Sequence, residues 1–78
     1  MIRKTEKLVI TFHTTTAAMA MERRCKDAQL DGRLIPVPGS ISADCGLAWC
    51  AKPGNEKMLT EHMQRWGVEY QGIHRCLI

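Results

Sequence analysis

The alternation of apolar and polar residues predicts a strand, a helix and a second strand in the first half of the chain. Residues 7–12 (KLVITF) are apolar and β-branched, which is typical of a strand. Three threonines follow, any of which can cap the helix predicted over residues 17–29 (AAMAMERRCKDAQ), where apolar residues recur at the helical period. Residues 33–37 (RLIPV) predict an edge strand, because Pro36 cannot donate to a sheet ladder.

The second half repeats this alternation. A loop rich in small residues, 38–46 (PGSISADCG), precedes a third strand at 47–51 (LAWCA). A helix is predicted over residues 56–66 (EKMLTEHMQRW), which Gly67 is placed to end. Residues 68–74 (VEYQGIH) predict a fourth strand, with a bulge at Gly72.

The order β-α-β-β-α-β favours an α+β, ferredoxin-like split βαβ fold. We expect a four-stranded antiparallel sheet in the order 4-1-3-2, with two helices on one face. The second strand is then an edge, which agrees with its prolines. The other face of the sheet stays uncovered, so we expect a second copy of the chain or a partner protein to dock there.

The 78 residues allow one domain, 1–78, with an ordered core at about 7–75. No apolar run is long enough to span a membrane, and the run after the basic start is too short for a signal peptide, so we expect a cytoplasmic protein. A net charge of +3 with only four aromatic residues makes nucleic acid an unfavoured partner. In a cytoplasmic protein the four cysteines should be reduced thiols. Because they form no CxxC motif, we expect no bound metal, and we expect no cofactor.

Cys45 is the candidate reactive residue. The predicted topology brings the end of its loop close to His13 and to the start of the first helix, whose free N–H groups favour a thiolate. Gly46 should leave the sulfur open to solvent, whereas Asp44 opposes the thiolate. The alternative is that Cys45 is a small residue in a turn. Of the other thiols, Cys25 should lie in the core, Cys50 should face away from Trp49, and Cys76 should lie near a frayed end.

No phosphate-binding loop or serine–base pair is present, and one thiol in a glycine-bordered loop suits a carrier better than a turnover enzyme. Three stretches, LVITFHTTTAAMAME, RLIPVPGSISADCGLAW and GVEYQGIH, are similar to the small single-domain family called putative selenium/sulfur carrier protein-like. The resemblance covers about residues 8–74, and IPVP followed by ISADCG is its most specific part.

This resemblance implies that Cys45 is the family's cysteine and Gly46 its glycine. It places loop-supporting residues at Ser42, His13 and Thr14, beside Asp44. Where we expect a basic residue after the second proline in many members, this chain has Gly39, which weakens anion binding at the loop.

Three functions follow from these observations. The first is a sulfur or selenium carrier that holds a persulfide or perselenide on Cys45, is loaded by a sulfurtransferase or cysteine desulfurase, and unloads to an acceptor protein. The second is an interaction module that uses the open sheet face, in which Cys45 is structural. The third, a metal-binding protein using His13, Cys45 and Cys50, has no paired-ligand spacing in its favour.

Overall fold

The computed structural model describes residues 4–78, and its elements follow the predicted order. Four strands and two α-helices are joined by short connections, with a 3₁₀ turn at Pro53–Asn55 before the second helix. The elements are β1 (Glu6–Thr11), α1 (Thr15–Asp27), β2 (Arg33–Pro36), β3 (Leu47–Ala51), α2 (Glu56–Trp66) and β4 (Gly72–Leu77).

The four strands form one antiparallel sheet in the order β2-β3-β1-β4. This confirms the ferredoxin-like arrangement and the edge position of the proline-containing strand. In β1, Ile10 lies opposite Trp49 of β3 and Ile73 of β4. The end of β1, the start of α1 and the start of β3 therefore meet at one end of the sheet.

The core lies between the sheet and the two helices. Leu8 and Ile10 of β1 have no exposed surface, because residues two apart on a strand point to the same face. Met21 of α1 and Leu59 and Met63 of α2 are equally buried in the same cluster. Both helices thus cover one face of the sheet, as predicted.

One end of each helix lies at a residue that the sequence indicated, whereas α1 ends at Asp27, two residues before its predicted end. Thr14 is the threonine that caps α1, since its Oγ1 accepts a hydrogen bond from the Ala17 N–H at 3.1 Å. Gly67 ends α2 in the left-handed conformation (φ 73°), and the Val68 N–H donates to the Met63 carbonyl oxygen at 3.0 Å.

The fourth strand differs from its prediction. It begins at Gly72, and the pairing with β1 continues without a bulge from Gly72 to Leu77. Val68 instead packs against the core directly after the helix cap. Cys76 is therefore not in a frayed terminus, because it lies in β4 opposite Lys7 of β1.

The face opposite the helices carries small and basic side chains. Val9, Thr11 and Ala48 point to this face and have no exposed surface. At one end of the face lies a shallow hollow of about 260 Å³. The hollow is lined by Lys7, Asp31, Gly32, Arg33, Cys50, Ala51 and Lys52.

Candidate functional site

Cys45 lies where the topology predicted, at the end of the sheet where α1 begins. Its N–H donates to the carbonyl oxygen of Phe12, the residue that follows β1, at 3.2 Å. One residue farther along, Gly46 accepts a hydrogen bond from the Val37 N–H at 3.0 Å. These two bonds tie the end of the 38–46 loop to the strands on either side of it.

The sulfur of Cys45 contacts two polar groups. The Leu47 N–H donates to Sγ at 3.4 Å. The Thr15 hydroxyl oxygen lies 3.7 Å from the same sulfur, and Thr15 is the first residue of α1. The first residue of α1 and a backbone donor therefore both lie next to Sγ.

Cys45 is buried, so the expectation of an open sulfur was wrong. Only 4% of the residue is exposed, and it belongs to the hydrophobic core cluster. The cause lies in the fold of the loop, because the backbone bonds of Cys45 and Gly46 draw this segment against β1 and the residue after β2. Sequence neighbours alone do not reveal such closure, since its partners are more than eight residues away.

His13 and Asp44 form a pair on the solvent side of Cys45. Nδ1 of His13 and Oδ2 of Asp44 are 2.9 Å apart, and both side chains are more than half exposed. The imidazole therefore bonds the carboxylate next to Cys45 rather than the thiol. Asp44 is also held through its N–H, which donates to the Oε1 of Gln71 at 2.9 Å.

Two of the predicted supporting residues, Gly46 and Ser42, do not support the site through their residue type. Gly46 is exposed, has no positive φ, and a Cβ built on it would meet nothing within 4 Å. Its backbone therefore does not need glycine, and the absence of a side chain there does not leave the Cys45 sulfur open to solvent. Ser42 is exposed, and among residues 4–78 its hydroxyl has no hydrogen-bond partner.

The other three cysteines lie apart from Cys45, and all four are free thiols. Cys25 is fully buried on α1, as predicted, and burial raises the pKa of its thiol to about 11. Cys50 is 8% exposed and, as predicted, points to the opposite face of the sheet from Trp49. The fold therefore does not bring Cys50 into one cluster with His13 and Cys45.

A second cleft, of about 480 Å³, opens beside His13. Two carboxylates, Glu61 and Glu69, line it together with the half-exposed Tyr70. Thr60, Gln64 and Val68 complete its wall. The surface next to the Cys45 loop is therefore acidic.

Sequence reasoning missed three groups that position this site. Thr15 was only one of three threonines in a row, and the topology could not show which hydroxyl faces the sulfur. Gln71 was assigned to a strand, although its N–H and its side chain hold the loop region through Thr11 and Asp44. The Leu47 N–H is a backbone group, so no residue type could have indicated it.

Within residues 4–78, no three His, Cys, Asp or Glu side chains are grouped so that they could hold a metal ion. No helix in that part of the chain is long and apolar enough to cross a bilayer.

The family model described as "Putative Se/S carrier protein-like" matches residues 7–75, which include both helices and the whole Cys45 loop. Neither a curated protein nor a solved structure matches the chain. Since the match covers far more than half of the sequence, the chain belongs to the Putative Se/S carrier protein-like family.

Proposed function

We propose that this protein carries sulfur or selenium as a persulfide or perselenide on Cys45. The observation that carries the proposal is the position of Sγ, 3.4 Å from the Leu47 N–H and 3.7 Å from the hydroxyl oxygen of the first residue of α1. A thiolate is the nucleophile that accepts sulfur, and helix N-termini and N–H donors are groups that bind anions in proteins. Family membership supports the same cargo.

Loading transfers the terminal sulfur of a persulfide to a thiolate. The Cys45 thiolate attacks the terminal sulfur of a cysteine persulfide on the donor protein. A new S–S bond forms at Cys45, the donor's S–S bond breaks, and the donor cysteine leaves as a thiolate. Unloading reverses the roles: a nucleophile of the acceptor attacks the terminal sulfur, and Cys45 leaves. The same steps hold with selenium as the terminal atom, and neither step needs an external oxidant.

The burial of Cys45 means that the proposed carrier must open before it is loaded. Three hydrogen bonds hold the backbone of the segment 44–46: the N–H of Asp44 to Gln71, the N–H of Cys45 to Phe12, and the carbonyl of Gly46 to Val37. The side chains of this segment add the exposed His13–Asp44 pair and the contacts of the Cys45 sulfur with Leu47 and Thr15. Segments held by so few bonds open locally at a small fraction of the global unfolding free energy. A closed state protects a persulfide from water and from other thiols, which a carrier requires.

Donor and acceptor proteins are the partners that this function needs. We propose that they approach the end of the molecule where Cys45 lies, because the thiol cannot react elsewhere. The cleft beside His13 carries Glu61 and Glu69, so a partner with basic side chains near its own cysteine suits this surface.

The proposal is tested by incubating the protein with a cysteine desulfurase and cysteine and then measuring its intact mass without reductant. We expect a species heavier by one sulfur atom, and no such species with Cys45→Ser. Cys50→Ser is the matched control, because Cys50 is almost as buried and should not affect loading. Loading that is equal in the Cys45→Ser variant would refute the proposal, as would no loading where a known acceptor is loaded.

One observation, the burial of Cys45, favours the alternative of an interaction module in which this cysteine is structural. The face opposite the helices would then dock a partner. Lys7, Arg33 and Lys52 lie around its hollow against a single carboxylate, Asp31, so an acidic protein surface suits it better than a second copy with the same charges. A stable dimer in sedimentation, with unloaded Cys45, would instead support self-association through this face.

A further inference from the structure

A cleft of about 710 Å³ lies at the opposite end of the molecule from Cys45. It is bounded by the last turns of α1, the start of β2 and Trp49 of β3. Its volume falls in the range of about 300–1,000 Å³ that is typical of sites for small molecules. The lining residues are Glu22, Arg23, Lys26, Gln29, Leu30, Asp31, Gly32, Arg33 and Trp49.

The cleft carries three cations that lack a partner in the fold. Arg23, Lys26 and Arg33 are exposed, and none of them forms an ion pair with any residue in the range 4–78. The carboxylates of Glu22 and Asp31 lie in the same lining but are not within ion-pair distance of these cations. The positive groups are therefore available to a bound anion.

A buried donor in the same cleft also lacks a partner. Trp49 is 3% exposed, and its indole Nε1 is buried from solvent and donates to no acceptor among the described residues. An unpaired buried N–H is costly and calls for an explanation. The edge of the ring that holds Nε1 faces Gly32, where a Cβ would lie 2.5 Å from the nitrogen. Gly32 itself lines the cleft, so only a glycine separates this donor from it.

We propose that this cleft binds a small organic anion through a phosphate or carboxylate group. The oxyanion lies between Arg33, Lys26 and Arg23, and a slight displacement of the connection at Gly32 lets one of its oxygens accept the Trp49 indole N–H. Gln29 and the two carboxylates are placed to bind hydroxyl or amino groups on the rest of the molecule. The site is independent of Cys45, since the two lie at opposite ends of α1.

The experiment follows the indole N–H signals of the full chain in proton–nitrogen NMR spectra during titration with glycerol phosphate, malate, inorganic phosphate and neutral glycerol. Trp66→Phe assigns the Trp49 signal, and Trp66 serves as the internal reference in the native chain. We expect glycerol phosphate or malate to move the Trp49 signal downfield, with saturation, while the Trp66 signal stays. Whichever of the two binds identifies the oxyanion as phosphate or carboxylate, and glycerol should move neither signal.

Variants connect this binding to the cleft. Arg33→Ala should weaken binding about tenfold, because a charge-assisted hydrogen bond is lost. Lys26→Ala on the exposed surface of α1 gives a second test that does not depend on β2 folding. Arg65→Ala is the matched control, since Arg65 lies on α2 outside the cleft. No saturable shift of the Trp49 signal with any probe, equal shifts of both indoles, or equal weakening by Arg33→Ala and Arg65→Ala would each overturn the proposal.

Discussion

At the scale of single residues, Cys25 and Cys45 are two buried thiols with different surroundings. Cys25 lies on the apolar side of α1 and is surrounded by the hydrophobic core, which raises the pKa of its thiol to about 11. Cys45 has a backbone N–H donor and a helix N-terminus next to its sulfur. The two thiols are therefore alike in burial and differ in the polar groups around the sulfur.

Because burial raises the pKa of the Cys25 thiol, we expect the free energy of unfolding to fall at high pH. Its pKa is 9.0 in the reference state and about 11 in the folded protein, so the unfolded chain loses this proton first. The protonated Cys25 thiol therefore contributes about 2–3 kcal/mol to the free energy of unfolding below pH 9, and this contribution is lost as the pH rises through 11. Urea denaturation across this range measures it. The curve should be flatter for Cys25→Ala, and an equally steep curve would contradict the assignment.

Gly32 is the glycine that the fold needs most. Its φ is +136°, and a Cβ would come within 2.5–2.7 Å of the Trp49 ring. Gly32→Ala should therefore lower the free energy of unfolding by about 1–3 kcal/mol or more, through backbone strain and overpacking. Gly39→Ala is the control, since nothing lies within 4 Å of its Cβ position and its φ is not positive. Similar urea midpoints for the two variants would show that this contact is unimportant.

For Cys45, the sequence predicts the position in the fold but not the burial. The strand order alone places Cys45 beside the start of α1, because β1 and β3 are adjacent and antiparallel. Its burial could not be predicted, since it depends on hydrogen bonds to Phe12 and between Val37 and Gly46 across the loop. Thr14 is the cap and Thr15 is the neighbour of the sulfur because α1 begins at Thr15. Three consecutive threonines do not reveal at which of them the helix begins.

At the scale of elements, the start of α1 supports both the fold and the candidate site. The cap at Thr14 satisfies the Ala17 N–H, and Thr15 follows it against the Cys45 sulfur. Strand and helix order were predictable from periodicity alone. The start of β4 was not, because Val68 and Tyr70 are β-prone residues, yet Val68 packs against the core directly after the cap at Gly67 while Glu69 and Tyr70 are exposed.

Removal of the α1 cap should destabilise the protein measurably. Thr14→Ala deletes the side-chain acceptor of the Ala17 N–H, so the free energy of unfolding should fall by about 1 kcal/mol. Thr16→Ala is the matched control, because Thr16 is an exposed helical residue with no side-chain hydrogen bond to another described residue. Thermal or urea unfolding compares the two. A Thr16→Ala variant that loses as much as Thr14→Ala would contradict the assignment of the cap.

At the scale of the whole molecule, the proposed carrier thiol and the cleft that carries three cations unpaired among the described residues lie at opposite ends of the sheet. The proposed carrier thiol and the acidic cleft lie at one end, and the basic cleft below Trp49 lies at the other. The topology produced this separation, since α1 begins at the first end and finishes at the second. That one face of the sheet carries no helix was predictable from the element order, whereas its basic hollow depended on the pairing of β2 with β3.

The proposed carrier function depends on a buried thiol that becomes accessible while the rest of the protein stays folded. The most direct measurement is the labelling rate of Cys45 and Cys25 by an alkylating reagent across low urea concentrations, read by peptide mass spectrometry. Opening of the loop exposes little surface, so the opening free energy of Cys45 should be small and nearly independent of urea. Cys25 should be labelled only through global unfolding, with the full urea dependence. If both thiols show the same steep dependence, Cys45 opens only when the protein unfolds, and the carrier function is contradicted.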